Sequence, residues 1–489
     1  MIGSLMALRE INTDPTLLPD IQIKFEFMDS KRSSGVALKG AIKMVSESFG
    51  GNGADVVVGP ASSGPSMNAQ RVLETFGIPQ MSYSASSPDL SDSYEYPTFF
   101  RTSASDAFLG KAVAQFLKDD LGYTNVCIIN ALDGYSFKGA QAFKLAAIDL
   151  NIMVHAKPAI TEIPSIKETR EALKLIKDAP CRVIVAMTQA AAGGTITSEA
   201  VAQDMMGADS GYLWILADAL SANSAGVAAV AEVDRAELFW EDGTIYESKA
   251  VVLDDAWFGT IGFVPIRTEG TAAHTAFMER YRSQTSTVGT CGASPAALTD
   301  ACTCAADTDD YENKLFERDH DEDASTAPMC VGYDYADASH VPNSYTYFAY
   351  DAVYAFAHAA HKVVEDGYGS EFAGGEIVEA LKNMAAFEGV TGTVKFESNG
   401  DREIGVGFAI SNYRAGGFVT MGNWRKDTGL LWESEVDDMV YATVDGWLPD
   451  GFNEEGELEF STFSAGGSRR AMSVNAAVFA VMGAAAFVM

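Results

Sequence analysis

The chain reads as an α/β protein built on parallel sheets with helices on both faces. Three observations predict this. Short apolar runs (DVVVG, NVCIIN, RVIVAM, YLWILA) recur through the first half, each the length of a buried strand and bounded by Gly, Pro or polar residues. Segments with helical patterning alternate with them strictly. No short internal repeat appears, which removes solenoid and propeller folds.

The elements follow in order. Residues 1–11 are helical in pattern, NTDPTLLPD is a turn-rich link, and 21–27 (IQIKFEF) alternates like a strand. Residues 34–49 read as a helix. A short strand over 56–58 is stopped by Gly59-Pro60. Ser62, Ser63 and Gly64 lead into a helix that Pro65 can open, since the first helical turn has no use for its missing N–H. This helix runs to Phe76-Gly77, where glycine is a natural stop. A second strand over 80–84 leads to Ser84, Ala85, Ser86 and Ser87. Helices over 106–121, 137–150, 166–177 and 197–206 then alternate with strands over 125–130, 152–156, 182–187 and 212–217, the last ending at Asp218. Beyond lie a strand over 257–264 and helices over 270–282, 345–365 and 377–384. Strands and hairpins close the folded part (GTVKFESNGDR, VGFAISNYRAGGFVTMGNW).

The stretch 55–101 organises the functional reading. In open α/β sheets ligands sit outside the carboxyl ends of the strands. Two small-residue loops fall there, one strand apart, each rich in hydroxyls. A helix start with free N–H groups suits a carboxylate or phosphate. A single serine before a helix is commonly only a cap; two such loops on successive strand ends favour a site.

Composition bounds the rest. The 489 residues suffice for two or three domains, and 47% hydrophobic content is ordinary for a globular chain. A formal net charge of −33 argues against nucleic acid and against an anionic membrane surface as partners. Cys127 and Cys181 lie in strand-like runs and read as buried free thiols. Cys291, Cys302, Cys304 and Cys330 share an irregular polar insertion, where three pairings are open and the spacing favours disulfides over zinc. Disulfides there imply an oxidising compartment. DTDDYENKLFE lacks the fifth-position ligand and sixth-position glycine of a calcium loop, and His320 reads as solvated. His358 and His361, three apart on one helix, suit packing better than metal without a third ligand. No signal peptide is visible at Met1, and the apolar tail 473–489 is marginal for a membrane span.

The motifs GPASS, IPQMSYSASSPDLSD and YPTFFRTSASD resemble the receptor family ligand-binding region, the periplasmic-binding-protein-like type I (Venus flytrap) domain of class C and natriuretic peptide receptors. They are similar above all to metabotropic glutamate and GABA-B receptors. ALREINTDPTLLPDI, GTIGF, FEGVTGTVKF, NGDR and MGNWRKDTGLLW extend the likeness over roughly 1–432. The resemblance implies two α/β lobes joined by three crossovers, with the ligand held in the cleft. The first lobe would be 1–105 with 235–400, interrupted by the insertion 284–344. The second would be 106–234 with 401–449, followed by a linker over 450–472 and the tail.

Carried over residue by residue, the resemblance places an amino acid's carboxylate on Ser63 with Ser62 beside it, and further contacts on Ser84 and Ser86. Asp218 would take the ammonium, Tyr135 would cover the ligand, and Asp106 maps onto another contact. Each has a plainer reading: Asp218 as a turn residue, Tyr135 as packing, Asp106 as an N-cap. The family's reader of a side-chain carboxylate is a Lys in glutamate receptors and falls here near Tyr345, which disfavours glutamate. Lys31 stands where the family has a cysteine, and the family's first strand would precede Met1, so either the start is truncated or this lobe lacks a central strand. The expectation is a non-catalytic, extracellular ligand-binding part of a membrane receptor, dimeric (homo- or heterodimer) through its first lobe. It would bind a small amino-acid-like molecule with no cofactor and no metal, and be tethered by its tail or by segments absent from this chain. The alternative on the same fold is a solute-binding component of a transporter. No G-x-S-x-G, P-loop, zinc motif or nucleophile–base pair points to an enzyme.

Overall fold

A computed structural model describes residues 2–19, 21–23, 28–46, 53–238, 243–266, 271–283, 342–368, 374–433, 439–440, 448–452, 458–462 and 470–472. Cys291, Cys302, Cys304, Cys330, His320 and the tail 473–489 lie outside the described residues. The chain divides into two compact units: Met1–Ser105 with Pro265–Val406, and Asp106–Val264 with Gly407–Met489. It therefore passes from one unit to the other three times.

The first unit opens with α1 (Ile2–Ile11) and α2 (Ser34–Met44), the latter capped by the Ser33 hydroxyl on the Val36 N–H. There follow β1 (Val57–Val58), α3 (Ser63–Leu73), β2 (Gln80–Ser82) and β3 (Phe99–Arg101). The three strands form a parallel sheet in the order β1-β2-β3. Residues 21–23 are not a strand.

The second unit begins with α4 (Asp106–Gln115), β4 (Asn125–Ala131), α5 (Ser136–Asp149), β5 (Met153–Ala156), β6 (Ala159–Ile160), α6 (Ile166–Lys177) and β7 (Val183–Met187). It continues with α7 (Ala190–Ala202), β8 (Leu213–Leu216), α8 (Asp218–Ser221), α9 (Ser224–Ala231), β9 (Arg235–Leu238), β10 (Ile245–Ser248), α10 (Leu253–Trp257) and β11 (Ile261–Pro265). The expected helix over 106–121 breaks at Gln115, and Phe116–Asp120 winds as a π-helical turn. α7 begins seven residues earlier than expected, at Ala190. The expected strand over 257–264 starts only at Ile261.

The first unit resumes with α11 (Ala272–Ser283), α12 (Ser344–Val363), α13 (Gly374–Asn383), β12 (Phe387–Gly389) and β13 (Gly392–Val394). The second unit then adds β14 (Gly407–Arg414), β15 (Gly417–Arg425) and β16 (Gly429–Trp432). Its main sheet runs β16-β15-β14-β11-β8-β7-β4-β5, with β6 also on β4. β4, β5, β7, β8 and β11 are mutually parallel, and the hairpin strands β14–β16 are antiparallel. β4, β7 and β8 are buried on both faces, as continuous apolar runs in a helix-covered parallel sheet must be.

Two expectations are corrected. Residues 235–264 were expected with the first lobe and belong to the second unit. β11 pairs with β8, Ile261 opposite Ile215, and the β9–β10 hairpin is tied to α6 by the Ile166 N–H on the Glu237 carboxylate at 2.7 Å. Likewise Asp401 and Arg402 fold with the first unit. The second correction concerns Cys127 and Cys181, which are not free thiols but a disulfide, with Cα atoms 6.0 Å apart. Cys181 lies two residues before β7, which pairs with the strand carrying Cys127, and the Cα separation suits the bond.

Candidate functional site

In the first unit the two serine loops are tied to each other. Ser62 precedes α3 with extended backbone and makes no capping bond through its side chain. Ser63 is the first residue of α3; it is buried, and its Oγ accepts the Ser87 N–H at 3.1 Å. The Pro60 carbonyl accepts two hydroxyls, Ser66 Oγ at 2.9 Å and Ser82 Oγ at 2.7 Å. Ser82 Oγ in turn accepts the N–H groups of Ser84 at 3.3 Å and Ala85 at 2.9 Å. Ser84 is half-buried and Ser86 buried. Three chain segments thus hold the ends of β1 and β2 in one arrangement.

A second layer fixes the loop after β2. Arg101, at the end of β3, has a fully buried side chain. Its NH1 donates to the carbonyls of Ala85 at 3.2 Å and Ser87 at 2.9 Å, which flank Ser86. Its Nε donates to Asp401 Oδ1 at 2.7 Å, and its NH2 to Ser91 Oγ at 2.5 Å. Because C=O and N–H point oppositely across a trans peptide, holding the Ala85 carbonyl also sets the direction of the Ser86 N–H. Gly400 makes this packing possible: its φ is +85° and a Cβ there would lie 1.9 Å from the Phe99 carbonyl oxygen. Arg402, which follows Asp401, donates to Thr102 O at 3.1 Å and Ile404 O at 2.8 Å, close to two of the unit crossings. Burial pulls its guanidinium down to about 10, against the pull of the Asp351 carboxylate.

In the second unit the expected residues gather at the carboxyl ends of β4 and β8. Asp133 Oδ1 accepts the N–H groups of Tyr135 at 3.0 Å and Ser136 at 3.1 Å, which turns the chain into α5. Tyr135 is buried, and its hydroxyl donates to Asp218 Oδ1 at 2.5 Å while accepting the Ala219 N–H at 3.3 Å. A hydrogen bond to a carboxylate is short and strong, so Tyr135 orients the acid as well as filling space. Asp218 is buried at the start of α8. Asp106 is buried at the start of α4, with Oδ2 only 3.4 Å from where a Cβ on Gly139 would stand.

Several buried polar atoms at the same strand ends have no hydrogen-bond partner among the described residues: Asn130 Oδ1, Asp133 Oδ2, Ser136 Oγ and Thr188 Oγ1. Buried polar groups are rarely left so.

The structure therefore ties Ser63 to Ser87 and Ser84 to Ser82 in the first unit, with Ser62 and Ser86 as their chain neighbours, and joins Tyr135 to Asp218 in the second. Sequence reading missed Arg101, Ser87 and Thr188. Of these, Ser87 is named from the sequence only as part of the second serine loop. Tyr345 lies in the first turn of α12, where its N–H is capped by Asn343 Oδ1 at 2.9 Å. The ring of His358 packs on Phe387 at 4.6 Å, and His361 Nδ1 accepts the Leu18 N–H at 3.3 Å. No group of His, Cys, Asp and Glu among the described residues is arranged to hold a metal, and no described helix is long and apolar enough to cross a membrane.

A family model described as the receptor family ligand binding region matches residues 3–406. The extracellular calcium-sensing receptors of mouse and human are each 24% identical over 238 residues, 45% of this chain and 21% of theirs. Glutamate receptor 3.4 of Arabidopsis thaliana is 28% identical over 212 residues, 43% of this chain and 21% of its own. The match thus spans about a fifth of the length of these relatives.

Proposed function

The chain belongs to the receptor family ligand-binding region, on the periplasmic-binding-protein-like type I fold, and from that premise we propose that it senses a small amino-acid-like molecule without transforming it. The ligand's carboxylate is taken by the serine loops of the first unit, through Ser63 with Ser62 beside it and through Ser84 and Ser86. Its ammonium is taken by Asp218, held in place by Tyr135, with Asp106 as a further contact. The domain works outside the cell as part of a membrane receptor and pairs with a second copy or a related chain through its first unit.

The observation that carries this reading is the buried Tyr135–Asp218 pair at a strand's carboxyl end, oriented by hydrogen bonds. Each charge-assisted bond to a zwitterion contributes about 1.5–3 kcal/mol, so four or five hold a small ligand after binding costs.

The test is a thermal-shift screen of the purified chain against the common amino acids, γ-aminobutyrate and small carboxylates. At least one α-amino acid is expected to raise the melting temperature and to bind stoichiometrically without being consumed. A screen with no binder, or with turnover of a binder, contradicts the proposal.

A further inference from the structure

We infer that the polar end of the second unit selects ligands whose side chain donates hydrogen bonds, and so favours an amide-bearing amino acid over a dicarboxylic one. This rests on the reading just given and adds the ligand's class.

The residues concerned converge from several elements. Asn130 lies opposite Met187 in the β4–β7 pairing, so Thr188 comes directly after that pair. The Ala217 N–H binds the Ala186 carbonyl, which sets Asp218 at the same end on β8. A Cβ on Gly139, in the first turn of α5, would lie 3.6 Å from Met187 Sδ and 3.4 Å from Asp106 Oδ2. Asn130, Ser136 and Thr188 are fully buried.

What these groups lack is specific. Asn130 donates one amide N–H to the Ala131 carbonyl at 2.8 Å, and its Oδ1 is left to accept. Asp133 uses Oδ1 on two backbone N–H groups, and its Oδ2 is left to accept. The hydroxyls of Ser136 and Thr188 do either. The carboxylates of Asp106 and Asp218 stand at the same end. A group that satisfies this set must bring N–H or O–H. A carboxylate brings neither, and it would meet negative charge; the half-buried Lys138 of α5 is the cation to test against this. A site built to hydrogen-bond a donor rejects the analogue lacking it far more strongly than an apolar pocket rejects an extra group.

Calorimetry on the full chain with isosteric pairs tests this: L-glutamine against L-glutamate, and L-asparagine against L-aspartate. The better amide is expected to bind about tenfold or more tightly than its acid. Thr188→Val, which keeps the shape and removes the hydroxyl, is expected to erase most of that preference, and Thr188→Ser is expected to restore it. Tighter binding of the acid, lost in Lys138→Ala, overturns the inference. So does an amide preference that Thr188→Val leaves intact, since the unmatched atoms would then hold water only. If no amino acid binds at all, the proposed function fails and this inference with it. If the acids bind best, this inference alone fails.

Discussion

Replacing Arg101 with methionine is expected to destabilise the first unit by about 3–5 kcal/mol, the range for removing one member of a buried ion pair. The size follows from what is stranded. The Asp401 carboxylate, whose side chain is 10% exposed, loses its counter-charge, and the carbonyls of Ala85 and Ser87 and the Ser91 hydroxyl lose a donor. Methionine fills much of the volume, so the loss is electrostatic rather than a cavity. Arg101→Lys keeps the charge but not the fork that reaches two carbonyls, a hydroxyl and a carboxylate together. It is expected to fall between wild type and Arg101→Met in melting temperature, and to increase hydrogen exchange at the Ser87 amide, which donates to Ser63. Calorimetric melting of the three proteins checks the order. Equal melting temperatures would show that Arg101 does not hold the loop.

Replacing both Cys127 and Cys181 by alanine is expected to cost about 2–4 kcal/mol. The bond closes a loop with a sequence separation of 54, long enough that its loss frees much of the unfolded chain. Both residues are fully buried against Ile184, Ala186 and Trp214 in the core of the second unit, so native protein is expected to resist reductant until it unfolds. Urea unfolding of wild type and the double variant gives the difference. Peptide mapping without reductant is expected to recover the segments around 127 and 181 joined; two separately alkylated thiols would contradict the pairing. A buried disulfide also suits a domain that folds in an oxidising compartment.

The parts of the fold legible in the sequence were those punctuated locally. Gly59-Pro60, Pro65 and Gly77 bracket β1 and α3, and the apolar runs of β4, β7 and β8 announce buried parallel strands. α7 began earlier than its pattern suggested because AAAGG reads as a loop, yet Gly193 and Gly194 pack against Leu220, Val227 and Val230, where a Cβ would clash. Packing, not propensity, made that helix. The β9–β10 hairpin (RAEL, IYES) escaped notice because its strands are exposed on alternate residues and carry charge. The disulfide depended on strand register, which apolar runs do not reveal.

The candidate site divides the same way. Ser63 and Asp218 stand at element boundaries that the sequence marks. The bond from Tyr135 to Asp218 spans 83 residues, and that from Arg101 to Asp401 spans 300, so neither leaves a local trace. Thr188 became conspicuous only when its hydroxyl proved unmatched.

One measurement bears most directly on the proposed binding roles of Ser63 and Asp218: titration calorimetry of the first amino acid found to bind, on wild type, Ser63→Ala, Asp218→Ala and the double variant. Each single substitution is expected to weaken binding about tenfold or more with the melting temperature of the ligand-free protein nearly kept, and the double variant to bind weaker than either. Unchanged affinity in Ser63→Ala or in Asp218→Ala would remove that residue from the site and contradict the account.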